Sequence, residues 1–367
     1  MYEAILDPMK LGNIELKNKI VFAPTTMGLK KEEYLKKLGD IARGGVSLIT
    51  IGDVDAMPGL GISLYSKKGM AYYREIVDCI HENGAKACAQ LHMSDANWKA
   101  MIKYIPKVLT KKITGDDLRN LLNEEAKKYI NHMPIKKIET IIEGFGKTAL
   151  LIDQAGFDMI QIHGDRMCGS FSSSLLNERQ DKFGGTLKNR MRFALDCIAQ
   201  VKKAVPNMTI EYKLAVRQTN PFYGKAGFTE QELETVVPAL EKAGVDCFHV
   251  ALANHGELSD TIPPKNHPCF SQEGCFLKFC DVVKQYTKLP VCGVGGLTNP
   301  DYIEEQLEKR RIDYVAMSRQ LIADPFWVSK VENGNVKQIS RCVRCNKKCL
   351  GGMKEHKGVH CIYDQKE

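Results

Sequence analysis

No stretch of this 367-residue chain reaches the roughly 18 uncharged apolar residues that a membrane-spanning helix needs. The opening MYEAILDPMKLGNIELKNKI has no apolar run behind a basic flank, so no secretory leader is expected and the reading is cytoplasmic. No G-x-G-x-x-G follows an early strand, which excludes the Rossmann cradle as the way FAD or NAD(P)H would be held. Internal repeats and low-complexity tracts are absent, and with them solenoid and disordered architectures. A strong charge of one sign is missing too. A net charge of +8 is modest for this length and argues against a nucleic-acid binder. The basic residues thicken only at Lys99, Lys103, Lys107, Lys111 and Lys112, a solvated face or an attraction for an anionic substrate or partner.

What is present is a hydrophobic content of 44%, enough for a sizeable core, and 13 cysteines, of which four crowd into positions 342–361. In a reducing compartment that crowding points to metal binding plus buried thiols rather than disulfides. Apolar β-rich runs alternate with amphipathic stretches along the whole chain. The strands read as Ile20 to Ala23, Val46 to Ile51, Lys86 to Leu91, Phe157 to Ile162, Thr209 to Leu214, Asp246 to Ala251, Pro290 to Val294 and Asp313 to Met317. That alternation predicts a parallel sheet of βα units, and eight of them close a (β/α)8 TIM barrel.

The helices announce themselves by caps and stops. Lys136 to Ala155 repeats apolar residues at helical spacing and ends before Gly156. Thr229 to Ala243 opens on a TEQE capping box and ends at Gly244, and Asn299-Pro300 starts the helix after strand seven. Residues 94–135 interrupt the rhythm, with a capped helical piece over Thr114 to Ile130. Such an excursion above the carboxyl rim of a barrel reads as a lid or substrate-binding element.

Barrels commonly hold a phosphate after strands seven and eight, where glycines let backbone N–H groups approach it. Here Gly293-Val294-Gly295-Gly296 follows the seventh strand and Ser318-Arg319 the eighth. The glycines alone fit a tight turn equally well. The arginine at the matching end of the next strand favours a phosphate, because a bidentate donor at the rim has little packing use. At the C-terminus Cys342, Cys345, Cys349 and Cys361 read C-x2-C-x3-C-x11-C, a spacing that suits one metal centre, either structural zinc or an iron-sulfur cluster.

With DPMKLGNIELKNKIVFAP, AQLH, AGFDMIQIHG, NERQDKFGGTLKNRMRF, YKLAV, PVCGVGGLTNP and DYVAMSRQLIADP in order, the chain resembles the old yellow enzyme family over residues 5–365. The closest likeness is to the iron-sulfur branch that includes 2,4-dienoyl-CoA reductase, trimethylamine dehydrogenase and bile-acid enoate reductases. The resemblance implies an FMN-binding barrel over 1–335, a [4Fe-4S] segment over 336–367, and none of the branch's FAD or NAD(P) domains. It implies FMN contacts from Ala23, Pro24, Thr25 and Thr26 under the ring, Gly52 and Gln90 at the pyrimidine edge, and Lys213 near N1. Gly295, Gly296, Ser318 and Arg319 would take the phosphate. Thr26 takes the place near flavin O4, Lys213 stands where the family has arginine, and Ser318 where it has glycine. For Gln90 a satisfied core amide is the bland alternative.

The resemblance also implies a reaction, hydride addition to the β-carbon of an α,β-unsaturated carbonyl: an enoate, enone, steroid-like enone or enoyl-CoA. His163 takes the place of the first carbonyl-binding histidine, and Arg166 stands where the second His or Asn belongs. Cys168 falls where a tyrosine proton donor is usual, with a buried structural thiol as the alternative, and His255 resembles a histidine that assists the donor. The four cysteines match the branch's [4Fe-4S] ligands, and the barrel and cluster are expected to be chemically separate. The electron source is open between NAD(P)H and a separate redox protein, and the chain is either a natural short form or part of a longer one. Amine dehydrogenation, an electron-transfer subunit and a cofactor-free zinc barrel are the rival readings. The partners expected are a small unsaturated carbonyl compound, an electron-donor protein and a second copy of the chain.

Overall fold

The computed structural model describes residues 2–364 except 60, 97–101, 105, 108–109, 111–112 and 114. Thr114 and the lysines at 99, 111 and 112 therefore lie outside the described residues. Eight parallel strands close on themselves: β1 Ile20–Phe22, β2 Leu48–Asp55, β3 Lys86–His92, β4 Met159–His163, β5 Thr209–Thr219, β6 Cys247–Leu252, β7 Val291–Gly293 and β8 Tyr314–Met317. Closure runs through Met317 beside Phe22 and through the β5–β6 pair, where Lys213 faces His249. The protein is a (β/α)8 TIM barrel, and all eight strands overlap those expected from sequence.

Below the barrel a hairpin of Met9–Leu11 and Ile14–Leu16 forms a plug. Its Leu11 and Leu16 pack with Val21, Leu48, Cys88, Met159, Cys247 and Cys292 in a core of their own. Burying each leucine contributes about 1.5–3 kcal/mol, which closes the amino-terminal end. A second, larger core lies between the strands and the outer helices. Scattered cysteines such as Cys197 and Cys280 belong to it as small apolar side chains.

The helix stops follow their glycines. Helix α1, Ile135–Gln154, ends before Gly156 at φ 93°. At Thr229 the capping box with Glu232 is present, but it opens a short 3-10 turn, Glu230–Glu232, before α2, Leu233–Ala243. Helix α3, Pro300–Glu308, is capped by Asn299, whose side chain accepts from the Asp301 N–H at 3.3 Å. The excursion after β3 carries a helix over Gly115–Asn131, and Arg179 holds its far end by donating to the carbonyls of Ile130 at 2.7 Å and Met133 at 2.8 Å.

Candidate active site

A cavity of about 330 Å³ opens among the carboxyl ends of the strands. It collects every expected flavin contact: the turn Ala23, Pro24, Thr25 and Thr26 after β1, Gly52 in β2, Gln90 in β3, Lys213 in β5, Gly295 and Gly296 after β7, and Ser318 and Arg319 after β8. Strand register explains the gathering. Along β3, β4 and β5, Gln90 pairs with Gln161 and Gln161 with Glu211. One layer higher, His163 pairs with Lys213 and Lys213 with His249.

The lower layer is a closed hydrogen-bond chain. Gln90 Nε2 donates to Gln161 Oε1 at 2.6 Å, and Gln161 and the Tyr314 hydroxyl both donate to Glu211. Burial raises the Glu211 pKa against those donors. Gln90 is thus both a satisfied core amide and a cavity-lining residue. Above it, burial lowers the Lys213 pKa while Asp165 and Asp53 pull it back up, and burial with Lys213 takes His249 down to about 3.

The phosphate end requires bare backbone. Gly295 and Gly296 have φ of 119° and 67°, and a Cβ on Gly296 would come within 2.8 Å of Arg344 Nη1. The Thr25 hydroxyl lies 2.7 Å from Ser318 Oγ, joining the β1 and β8 ends. Arg319 lines the cavity, but its Nη1 donates to Pro263 O at 2.9 Å and Asn346 Oδ1 at 2.8 Å. Its guanidinium therefore also fastens the cysteine segment. Glycine backbone, hydroxyl and cation in one corner, with an amide and an ammonium across the cavity, suit a flavin mononucleotide.

His163 ends β4 with its ring buried. The Asp165 N–H donates to Nδ1 at 3.3 Å, which leaves the proton of the neutral ring on Nε2. Burial first, then Lys213 and Arg166, holds its pKa well below the ordinary value, so His163 is a neutral donor. Arg166 shares the cavity. So does Asp165, a residue the sequence reading passed over. Its Oδ1 accepts from the Asn254 N–H at 2.8 Å, and burial raises its pKa despite that bond and nearby cations.

Two candidates do not reach the cavity. Cys168 lies in the short helix Met167–Ser172, 1% exposed within the main core, with its thiol against Cys197. The helix turn points it away from the cavity, so the buried-thiol alternative is the one observed. His255 is neither on the surface nor in the cavity lining. Buried, with φ 62°, it sits 2.7 Å from Asp95 Oδ2 through Nε2, with the Ser170 hydroxyl 3.3 Å away.

The four C-terminal cysteines line one small cavity beside Arg319. The Arg344 N–H points at Cys342 Sγ at 3.4 Å, and φ of 53° at Arg344 and 56° at Asn346 bends the loop around it. Four thiols with a backbone donor and adjacent cations have the donor chemistry of an iron-sulfur site, although they are not drawn together as ligands of one ion. Among the described residues no group of His, Cys, Asp or Glu is gathered tightly enough to hold a metal ion.

Residues 4–338 match the NADH:flavin oxidoreductase / NADH oxidase family. The chain belongs to this family. It is similar to a bilirubin reductase of Clostridium symbiosum, 59% identical across 100% of this chain and 99% of the relative. A bilirubin reductase of Mediterraneibacter gnavus is 32% identical over 98% of this chain, which spans only 56% of that protein. Among solved structures, histamine dehydrogenase from Rhizobium sp. 4-9 superposes with a TM-score of 0.80 at 22% identity, covering 99% of this chain and 52% of that one, a likeness of fold. The family assignment makes the protein a flavin-dependent oxidoreductase. No helix among the described residues is long and apolar enough to cross a membrane.

Proposed function

We propose that the protein is an FMN- and [4Fe-4S]-dependent ene-reductase that saturates a carbon-carbon double bond conjugated to a carbonyl, with bilirubin-like linear tetrapyrroles as its substrate class. The convergence of His163, Asp165 and Arg166 on one cavity carries this reading. Similarity to a bilirubin reductase along the whole chain supports the substrate class.

The Ala23–Thr26 turn and the Gly295–Arg319 corner would hold FMN, which would supply the hydride for the β-carbon. The rest is work for side chains. The neutral His163 donates from Nε2 to the substrate oxygen, and Arg166 opposes the negative charge that grows there. Asp165, whose pKa burial raises, would be the group that delivers a proton to the α-carbon, so that one hydride and one proton are added across the bond. Lys213 sets positive charge against the reduced ring. Cys342, Cys345, Cys349 and Cys361 would hold the cluster, which would supply single-electron transfer from a separate redox protein, whereas NAD(P)H as the electron source would deliver hydride to the flavin directly.

Amine dehydrogenation draws less support. Among the described residues lining the cavity the one benzenoid ring is Phe276, which leaves no aromatic bowl for an alkylammonium group. The test is anaerobic. Protein reduced with dithionite is mixed with bilirubin, with cinnamate or with a simple enone, and flavin reoxidation is followed by absorbance. Reoxidation faster with bilirubin than with the others is expected. Reoxidation no faster with any of them than without substrate would sink the proposal.

A further inference from the structure

Asp53 is the least expected residue beside the proposed ring seat. It has φ 58°, a left-handed backbone that a non-glycine residue adopts at a cost, and it sits where the β2–β3 register shifts between Ile51 and Val54. The bulge turns its carboxylate onto the cavity beside Gly52 and Thr26. There Asp53 Oδ2 accepts the hydrogen of the Thr26 hydroxyl. The other oxygen lies 3.9 Å from Nε2 of the buried His92, which also stands 3.6 Å from Asp55 Oδ1. Among the described residues His92 Nδ1 has no hydrogen-bond partner, and its Nε2 faces the two carboxylates.

We infer that Asp53 is a positioning residue that fixes the Thr26 hydroxyl as a donor toward itself, withholding that hydrogen from the flavin and holding the flavin's reduction potential low. A hydroxyl has one hydrogen to give. Engaged by Asp53, Thr26 offers the ring only lone pairs, and the nearby carboxylate adds negative charge where reduction brings more. Both effects favour the oxidised flavin and oppose Lys213 across the cavity. Burial alone would raise the Asp53 pKa, but His92, the Thr26 hydroxyl, Arg166 and Lys213 together lower it and keep the carboxylate charged. A low potential is the property a flavin needs to hand hydride to a weakly activated double bond. The inference rests on the FMN seat proposed above.

The experiment is spectroelectrochemical titration of the anaerobic holoenzyme and its variants, which reads the flavin midpoint and not turnover. Asp53→Asn should raise the two-electron midpoint by about 30 mV or more, a tenfold shift in the redox equilibrium. Thr26→Val alone should change it little, because its hydrogen is already spent. Adding Thr26→Val to Asp53→Asn should cancel part of the rise. No rise in Asp53→Asn, or a rise undiminished in the double variant, overturns the inference. Lys213→Met separates this from failure of the seat. A midpoint lowered by Lys213→Met but unmoved by Asp53→Asn removes only the role of Asp53. A midpoint that moves in neither variant means the flavin lies elsewhere, and both readings fall.

Discussion

At the scale of single residues, the proposed chemistry rests on His163, Asp165 and Arg166. His163 loses its charge to burial and the cations around it, and the Asp165 N–H selects the tautomer that presents Nε2–H. Removing one such donor costs on the order of 100-fold in rate. His163→Ala should therefore slow flavin reoxidation by substrate about that much, while stopped-flow traces of flavin reduction stay close to wild type. Asp165 has its pKa raised, so its proton persists to higher pH and the reoxidation rate should fall as pH climbs through that raised value. Asp165→Asn should flatten the profile and lower the rate on the order of 100-fold or more. Arg166→Ala discriminates further. A loss confined to affinity for carboxylate-bearing substrates makes it an anion anchor, and an equal rate loss with neutral enones puts it on the developing oxyanion.

Among the elements, the loop after β3, the helix Met167–Ser172 and the loop after β6 are locked by a contact that is buried and charged. Asp95 takes hydrogens from His255 and Ser170, and His255 and Arg166 outweigh the burial that would otherwise raise its pKa, leaving it well below the carboxylate range. A depressed folded pKa gives stability that is present above the unfolded value of about 3.9 and lost as pH falls through the folded one. Asp95→Asn should cost about 3–5 kcal/mol in urea unfolding at pH 7, and the gap to wild type should shrink below pH ~4. His255 was legible as a special residue from its ANHGE setting, but its partner was not. Asp95 is far away in sequence, and nothing local marks it.

At the level of the whole molecule, the barrel and the cysteine segment touch through two arginines. Arg344, beside Cys345, donates to the carbonyls of Ser271 at 2.8 Å and Gln272 at 2.9 Å while its guanidinium covers Gly296, and Arg319 reaches Asn346 from the phosphate corner. Disturbing one side should loosen the other. Cys345→Ala is expected to lose the brown absorbance and, through these two arginines, to retain less FMN after gel filtration. Iron, sulfide and flavin assays read both effects. Normal iron and sulfide would reject Cys345 as a ligand, and full flavin with no iron would reject the coupling.

The amino-acid sequence by itself determined the number and order of βα units, because strand and helix periods, capping boxes and glycine stops are local signals that survive without tertiary context. It also marked the glycines and Arg319 by their place at strand ends, and Lys213 and His163 through the family resemblance. Tertiary structure alone decided which side chains face the cavity. Cys168 turned into the core because a six-residue helix rotates it away, and Asp165, two residues past His163, entered the site because the turn after β4 folds it back. Asp53 was invisible for a related reason: a bulge re-aims a strand residue without leaving a local signature, and only the closed barrel brings Thr26 and His92 to meet it.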